Sequence, residues 1–181
     1  RPGYGYNGWY KYEDKEVLVV FDIFKSSIEH VISLPEILSE TGLQKISLYD
    51  PYLNHISWSP CGKKLVTLVH YDDPATQVRQ VFPVLINVDD HKITLIHASG
   101  YFSHHIWLSD YEFLAYLKKD DQKTWGIWTE NSGWRPVALN GGEDGHPTKK
   151  NDADICITVD TYPNRLNLMK LRSYSLRTGS C

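Results

Sequence analysis

The sequence predicts an all-β chain made of β-propeller blades, each a sheet of four short antiparallel strands. The first observation is a repeated His-containing segment, found at residues 54–60, 103–109 and 145–151. The second is its period: the matching His residues lie 49 and then 42 residues apart, which is the length of a propeller blade. The third is the apolar, β-prone run that follows each copy, as expected for the next strand of the same sheet.

The strands of each predicted blade follow one another along the chain. Second strands are predicted at residues 65–69, 113–117 and 155–159, third strands at 80–88, 124–129 and 168–176, and fourth strands at 93–97 and 135–139. Turn-forming residues separate these runs, and no long amphipathic helix is visible between them. The pattern is that of consecutive antiparallel sheets.

The N-terminal part fits the same scheme less regularly. Residues 8–12, 17–24 and 30–34 are predicted as the second, third and fourth strands of a first blade. Residues 35–40 are predicted as a short helical or loop insertion, and residues 45–49 as one extra strand.

The chain is therefore expected to form one partial propeller domain, with blades at about residues 1–34, 54–98, 103–139 and 145–179. Closed propellers usually have four to eight blades, since fewer leave sheet edges bare. Three arrangements stay open: a compact four-bladed ring, a half-ring that forms a homodimer, or part of a longer protein. We favour the last, because both ends of the sequence look cut.

Composition narrows the classes of partner. The formal net charge is −3 and no block of Lys and Arg stands out, which argues against nucleic acid and anionic membranes. No apolar stretch approaches the length needed to cross a bilayer. Three scattered Cys residues form no CxxC pair, so we expect a reduced, cytoplasmic setting, with a periplasmic one as the alternative. No GxSxG, P-loop, HExxH or GxGxxG motif is present.

Several segments carry a family resemblance. They are residues 144–147 (Asp-Gly-His-Pro), 160–163 (Asp-Thr-Tyr-Pro), Arg165, the close of the chain at 174–179, and the Ser103-His104-x-x-Trp107 segment. In these segments the chain resembles the TolB-like propellers, and within them the oligogalacturonate-lyase-like branch. The resemblance implies a propeller fold and a divalent metal, typically manganese, held largely by His near the propeller axis. A shared fold does not imply a shared reaction.

The matching His residues are candidate metal ligands. The first strand of a propeller blade lines the central channel, so His55, His104 and His146 would converge from three neighbouring blades. Imidazole suits Mn, Fe, Ni and Zn, and three ligands with open positions are typical of a catalytic site. The alternative is that each His forms hydrogen bonds within its own blade. His105 is one residue out of register and is expected to point the opposite way from His104.

Candidate catalytic and ligand-binding residues follow a predicted second strand. Asp160 is a candidate ligand contact, Arg165 a clamp for a carboxylate, and Tyr162 a proton carrier. The alternative is a turn in which Asp160 accepts backbone N–H bonds and Pro163 sets the bend. Trp107 is a further candidate ligand contact, although Trp107 is most simply interpreted as packing between blades, as is its counterpart Trp58.

The sequence thus predicts a ligand-binding propeller module for a carbohydrate or a protein partner at its axial face. One alternative is a metal-dependent lyase that cleaves oligogalacturonate-like polysaccharides by β-elimination. Another is a purely structural assembly module. Enzymatic activity is therefore left open by the sequence.

Overall fold

The computed structural model describes residues 16–119, 121–139, 144–151, 154–159 and 170–176. Thirteen strands occur in these ranges, together with one α-helix and one 3-10 helix. The strands are β1 (Val17–Asp22), β2 (Ser27–Ser33), β3 (Tyr52–Trp58), β4 (Lys64–Asp72), β5 (Arg79–Asn87), β6 (Ile93–Leu95), β7 (Phe102–Trp107), β8 (Glu112–Lys119), β9 (Gln122–Thr129), β10 (Gly133–Pro136), β11 (His146–Lys149), β12 (Asp154–Val159) and β13 (Lys170–Ser175).

The strands form four antiparallel sheets in chain order. Sheet 1 contains β1 and β2, sheet 2 contains β3 to β6, sheet 3 contains β7 to β10, and sheet 4 contains β11 to β13. In sheets 2, 3 and 4 each strand pairs with the next one along the chain, so each sheet is a simple meander. The predicted fold class is confirmed: the chain is all-β, and its successive meander sheets are consistent with an incomplete propeller.

The middle strands of sheets 2 and 3 have two apolar faces. In β4, Leu65 and Val69 pack towards sheet 1, while Val66 and Leu68 pack towards sheet 3. Such period-2 alternation with both faces buried is expected when a sheet lies between two neighbours. The three core clusters accordingly lie between sheets 1 and 2, 2 and 3, and 3 and 4.

Aromatic residues fill the cluster between sheets 2 and 3. Phe113 is fully buried, and its ring lies 5.3 Å from that of Trp107, 5.1 Å from that of Trp128 and 5.5 Å from that of Trp134. Trp134 also donates its indole N–H to the carbonyl of Ile96 across the interface. The high aromatic content therefore serves packing in this part of the chain.

Polar contacts also join successive sheets at the end where β3 and β7 finish. Asp110 accepts a hydrogen bond from the backbone N–H of Cys61 at 2.6 Å. Lys149 donates to the carbonyl of Leu108 at 2.8 Å, which connects sheet 4 to the loop after β7. Neighbouring sheets are thus joined by side-chain-to-backbone hydrogen bonds as well as by apolar packing.

The segment between sheets 1 and 2 is helical. Helix α1 (Leu34–Glu40) begins with a capping box in which Ser33 and Glu36 exchange hydrogen bonds with each other's backbone N–H. The prediction of an extra strand at residues 45–49 is wrong, because Gln44–Tyr49 is a 3-10 helix that buries Ile46. An isolated strand there would have had no neighbour for its backbone groups. Neither helix among the described residues is long and apolar enough to cross a membrane.

Two Leu→Ala variants measure the contribution of the inter-sheet core. Leu114 is fully buried between sheets 3 and 4, whereas Leu171 is 72% exposed. We expect Leu114→Ala to lower the free energy of unfolding by about 2–5 kcal/mol, because a buried cavity is created. The matched Leu171→Ala change should alter it by less than about 0.5 kcal/mol. Equal effects in urea unfolding would contradict this packing scheme.

Candidate functional site on the inner strands

The first strands of sheets 2, 3 and 4 lie side by side. Strand β7 contacts β3 on one side and β11 on the other. Residues at matching positions of these three strands can therefore meet, as expected for strands around a propeller axis.

Bulges set the position of the His residues on β3 and β7. The pairing of β3 with β4 shifts register between Asn54 and Ser57, and that of β7 with β8 shifts between Phe102 and His105. His55 lies inside the first bulge with φ of 51°, in the left-handed region. The Asn54 side chain stabilises this turn by accepting the N–H of His55 at 2.8 Å. A bulge leaves residues unpaired and redirects their side chains, which frees His55 from the ladder.

The three predicted His residues are brought together. The ring centroids of His104 and His146 are 3.9 Å apart, and those of His55 and His104 are 6.3 Å apart. His70, on β4, stacks against His55 at 6.2 Å. His55 and His146 are exposed, so the cluster can be reached from solvent. We call His55, His70, His104 and His146 the His cluster.

Two further polar side chains join the His cluster. Oδ1 of Asp144 lies 3.2 Å from Nδ1 of His104, and Oδ2 accepts a hydrogen bond from the Tyr101 hydroxyl at 3.4 Å. Burial, followed by the neighbouring charge of Asp144, raises the pKa of Tyr101 to about 12. Tyr101 therefore remains a hydrogen-bond donor at neutral pH, and Nε2 of His104 is left as the atom for a ligand.

The electrostatics of the His cluster favour a neutral imidazole at His55. Partial burial lowers the pKa of His55, and the positive charges that His104 and His146 acquire on protonation lower it further. A neutral imidazole has one donor and one acceptor nitrogen, so it can bind hydroxyl groups or a metal cation.

His105 points away from the His cluster, as the period-2 alternation predicts. Its Nε2 lies 2.7 Å from the Ser57 hydroxyl, and its ring lies 5.7 Å from Phe102 and 6.2 Å from Phe113. Burial lowers the pKa of His105 to about 4, with a smaller contribution from the charge of His55. His105 is thus a neutral residue of the interface between sheets 2 and 3.

Trp107 occupies the same interface. It is 6% exposed, and its indole N–H donates to the carbonyl of Ser57 at 3.2 Å. This position agrees with packing between blades, and the ligand-contact role predicted for Trp107 stays a prediction. The other three candidates, Asp160, Tyr162 and Arg165, lie outside the described residues.

The His cluster has the donor chemistry that a divalent metal requires, since imidazole and carboxylate suit Mn and Zn. The Asp144–His104 contact resembles the carboxylate partners that orient metal-binding His residues. Within the described ranges, however, no three His, Cys, Asp or Glu side chains are already arranged to hold a metal ion.

Sequence reasoning found the three His residues but assigned no role to Asp144, Tyr101 or His70. Asp144 stands two residues before His146 in one of the family-like segments, and this was the available signal. Tyr101 directly precedes β7, and His70 lies on β4, which pairs with the strand of His55 in sheet 2. Their contacts with Asp144 and His55 come from strand pairing and from the packing of sheet 4 beside sheet 3.

Comparison with known proteins gives no family membership. No protein family model and no curated protein matches the chain. Among solved structures, TolB from Acinetobacter baumannii is similar with a TM-score of 0.46 and 10% identity, over 90% of this chain and 47% of TolB. The apo AtxE2 isopeptidase is similar with a TM-score of 0.46 and 13% identity, over 68% of this chain and 27% of the isopeptidase. The chain therefore spans less than half the length of either protein.

The low pKa of His105 makes stability depend on pH. The unfolded chain binds a proton near the ordinary value of 6.5, whereas the folded chain does not until about pH 4. The contribution of His105 to the free energy of unfolding is fully present above pH 6.5. It decreases by about 3 kcal/mol as the pH falls from 6.5 to 4. His105→Gln should flatten this part of the curve of unfolding free energy against pH. Equal slopes in wild type and His105→Gln would contradict the assignment.

Proposed function

We propose that this chain is a ligand-binding propeller module of the TolB-like kind, and that the His cluster with Asp144 and Tyr101 binds a carbohydrate. The observation that carries the proposal is the convergence of His55, His104 and His146 from three successive inner strands. A protein partner is the other ligand class that the sequence left open, and it becomes an outcome of the experiment below.

The chemistry of the cluster supports a hydroxyl-rich ligand. Imidazoles, a carboxylate and a phenol offer both donors and acceptors over a short distance, which is what sugar hydroxyls require. The exposed rings of His55 and His146 provide flat surfaces for sugar packing. A small number of polar groups that converge on one point is also typical of ligand sites.

The second candidate function is a metal-dependent lyase for oligogalacturonate-like substrates, which the Asp144–His104 contact favours. In β-elimination a base removes the proton α to the carboxylate, the C–O bond to the leaving oxygen breaks, and a C=C bond forms. His104 and His146 would hold a divalent metal, manganese by resemblance, which neutralises the substrate carboxylate when bound. Arg165 would pair with that carboxylate and Tyr162 would carry a proton.

One calorimetric titration distinguishes these functions. We would titrate metal-stripped protein with oligogalacturonate and with a neutral cello-oligosaccharide of equal length, before and after adding Mn²⁺, while recording ultraviolet absorbance. The proposal predicts saturable binding of at least one sugar without metal, weakened about tenfold or more in His146→Ala, which corresponds to about 1.4 kcal/mol. His91→Asn, a His outside the cluster, is the matched control and should bind like wild type.

Each of the other outcomes argues against one of the candidate functions. Binding and a rise in absorbance from the unsaturated uronide only after Mn²⁺ is added would favour the lyase. Binding of neither sugar, or equal binding by wild type and His146→Ala, would contradict a carbohydrate site at the His cluster. A protein partner or a structural role would then be the remaining explanation for the exposed cluster.

A further inference from the structure

The backbone of His55 has an unusual conformation for a residue inside a strand. Its φ of 51° lies in the left-handed region, which residues other than Gly rarely adopt. The other described non-Gly residues with positive φ lie between strands or at the end of the 3-10 helix: Ser26, Asp50, Gln77, His91 and Asp121. Among the described residues of this kind, His55 alone lies within a strand, and it belongs to the His cluster. Backbone strain at a candidate site points to a functional role.

The register of β3 with β4 shows what this conformation does. Two residues of β3, His55 and Ile56, oppose the single residue Thr67 of β4. In such a bulge the extra residue bends the strand and changes the direction of its side chain. The His55 ring leaves the strand towards the rings of His104 and His70, at centroid distances of 6.3 Å and 6.2 Å. An extended conformation at His55 would turn the ring in another direction, since side chains alternate along a regular strand.

Two hydrogen bonds hold the bulge, and both involve Asn54. Its Oδ1 atom accepts the backbone N–H of His55 at 2.8 Å, so the side chain satisfies a donor next to the bend. Its backbone carbonyl accepts the hydroxyl of Thr67 at 3.3 Å, and Thr67 is fully buried. A buried hydroxyl requires a partner, and here the bond to that partner fixes the residue that precedes the bulge.

We propose that Asn54, supported by Thr67, is a positioning residue of the ligand site: its side-chain oxygen keeps His55 in the left-handed conformation and its ring in the His cluster. This inference rests on the proposed function, because it makes sugar affinity depend on a residue that acts through His55. Without the acceptor, the N–H of His55 would lose its partner and the more common extended conformation would compete. The cost of reordering His55 would then be added to each binding event.

The sugar titration described above tests the proposal with variants of Asn54. Asn54→Ala should weaken binding by about fivefold or more, because it removes the hydrogen bond that orients His55. Asn54→Asp keeps an acceptor oxygen and tolerates the left-handed region, so it should bind within about threefold of wild type. Asn87→Ala is the matched control and should bind like wild type. Oδ1 of Asn87 accepts the N–H of Asp89 at 3.2 Å in the turn between β5 and β6, outside the His cluster.

A structural measurement on the same variants separates this proposal from the proposed function. In the wild type, we expect a nuclear Overhauser contact between ring protons of His55 and His104, because the two rings meet edge to face. The intensity of this contact should fall by about half or more in Asn54→Ala, because other conformations of His55 become populated. It should return in Asn54→Asp and remain unchanged in Asn87→Ala.

Several results would overturn the proposal. They are unchanged affinity and ring contact in Asn54→Ala, equal losses in Asn54→Ala and Asn54→Asp, and a loss of affinity with the ring contact intact. The last result would assign Asn54 a direct contact with the sugar. If the wild type binds neither sugar, the proposed function is contradicted, and the ring contact alone decides whether Asn54 positions His55.

A second variant covers the case in which Asn54→Ala lowers the midpoint of urea unfolding more than Asn87→Ala does. Thr67→Val keeps the shape of the side chain and removes the hydroxyl that binds the carbonyl of Asn54. We expect both the sugar affinity and the His55–His104 ring contact to decrease in Thr67→Val. No change in either would overturn the proposal.

Discussion

The need to cover two apolar faces on each sheet governs this structure. A strand such as β4 or β8 presents apolar side chains on both sides, so neither sheet is stable without a neighbour in front and behind. Burial of these faces forces the sheets to stack in chain order and brings β3, β7 and β11, the first strands of sheets 2, 3 and 4, side by side. The position of the functional site follows from this stacking, because the inner strands carry the His residues.

Stacking alone does not make a binding site of the inner strands. Regular pairing would use the backbone of every residue in β3 and β7 and would alternate side chains strictly between the two faces. The bulges at residues 54–57 and 102–105 break that alternation at the same place in two sheets. At the end of the second bulge, His104 and His105 still point to opposite faces: His104 joins the His cluster and contacts Asp144, while His105 bonds to Ser57 inside the interface. Strand β7 thus contributes both to the solvent-facing cluster and to a buried inter-sheet contact.

Much of this could be predicted from the sequence, because the repeat period and the apolar runs are local signals. The strands at residues 64–72, 112–119 and 154–159 were expected within a few residues of where they lie. Residues 45–49 were misjudged because a short apolar segment is ambiguous between strand and 3-10 helix until its neighbours are known. Asp144, Tyr101 and His70 could not be assigned to the site. The contacts of Asp144 depend on how sheet 4 packs beside sheet 3, and that of His70 on the register of β3 with β4.

The central claim is that His55, His104 and His146 form one electrostatically coupled site, and a histidine titration by NMR tests it most directly. In the wild type, His55 should titrate below its ordinary value of 6.5, through partial burial and the charges of its two neighbours. In His104→Gln and His146→Gln the pKa of His55 should rise towards that value, because a neighbouring positive charge is removed. A His55 that titrates at its ordinary value, or that is unaffected by either substitution, would contradict the convergence of these residues.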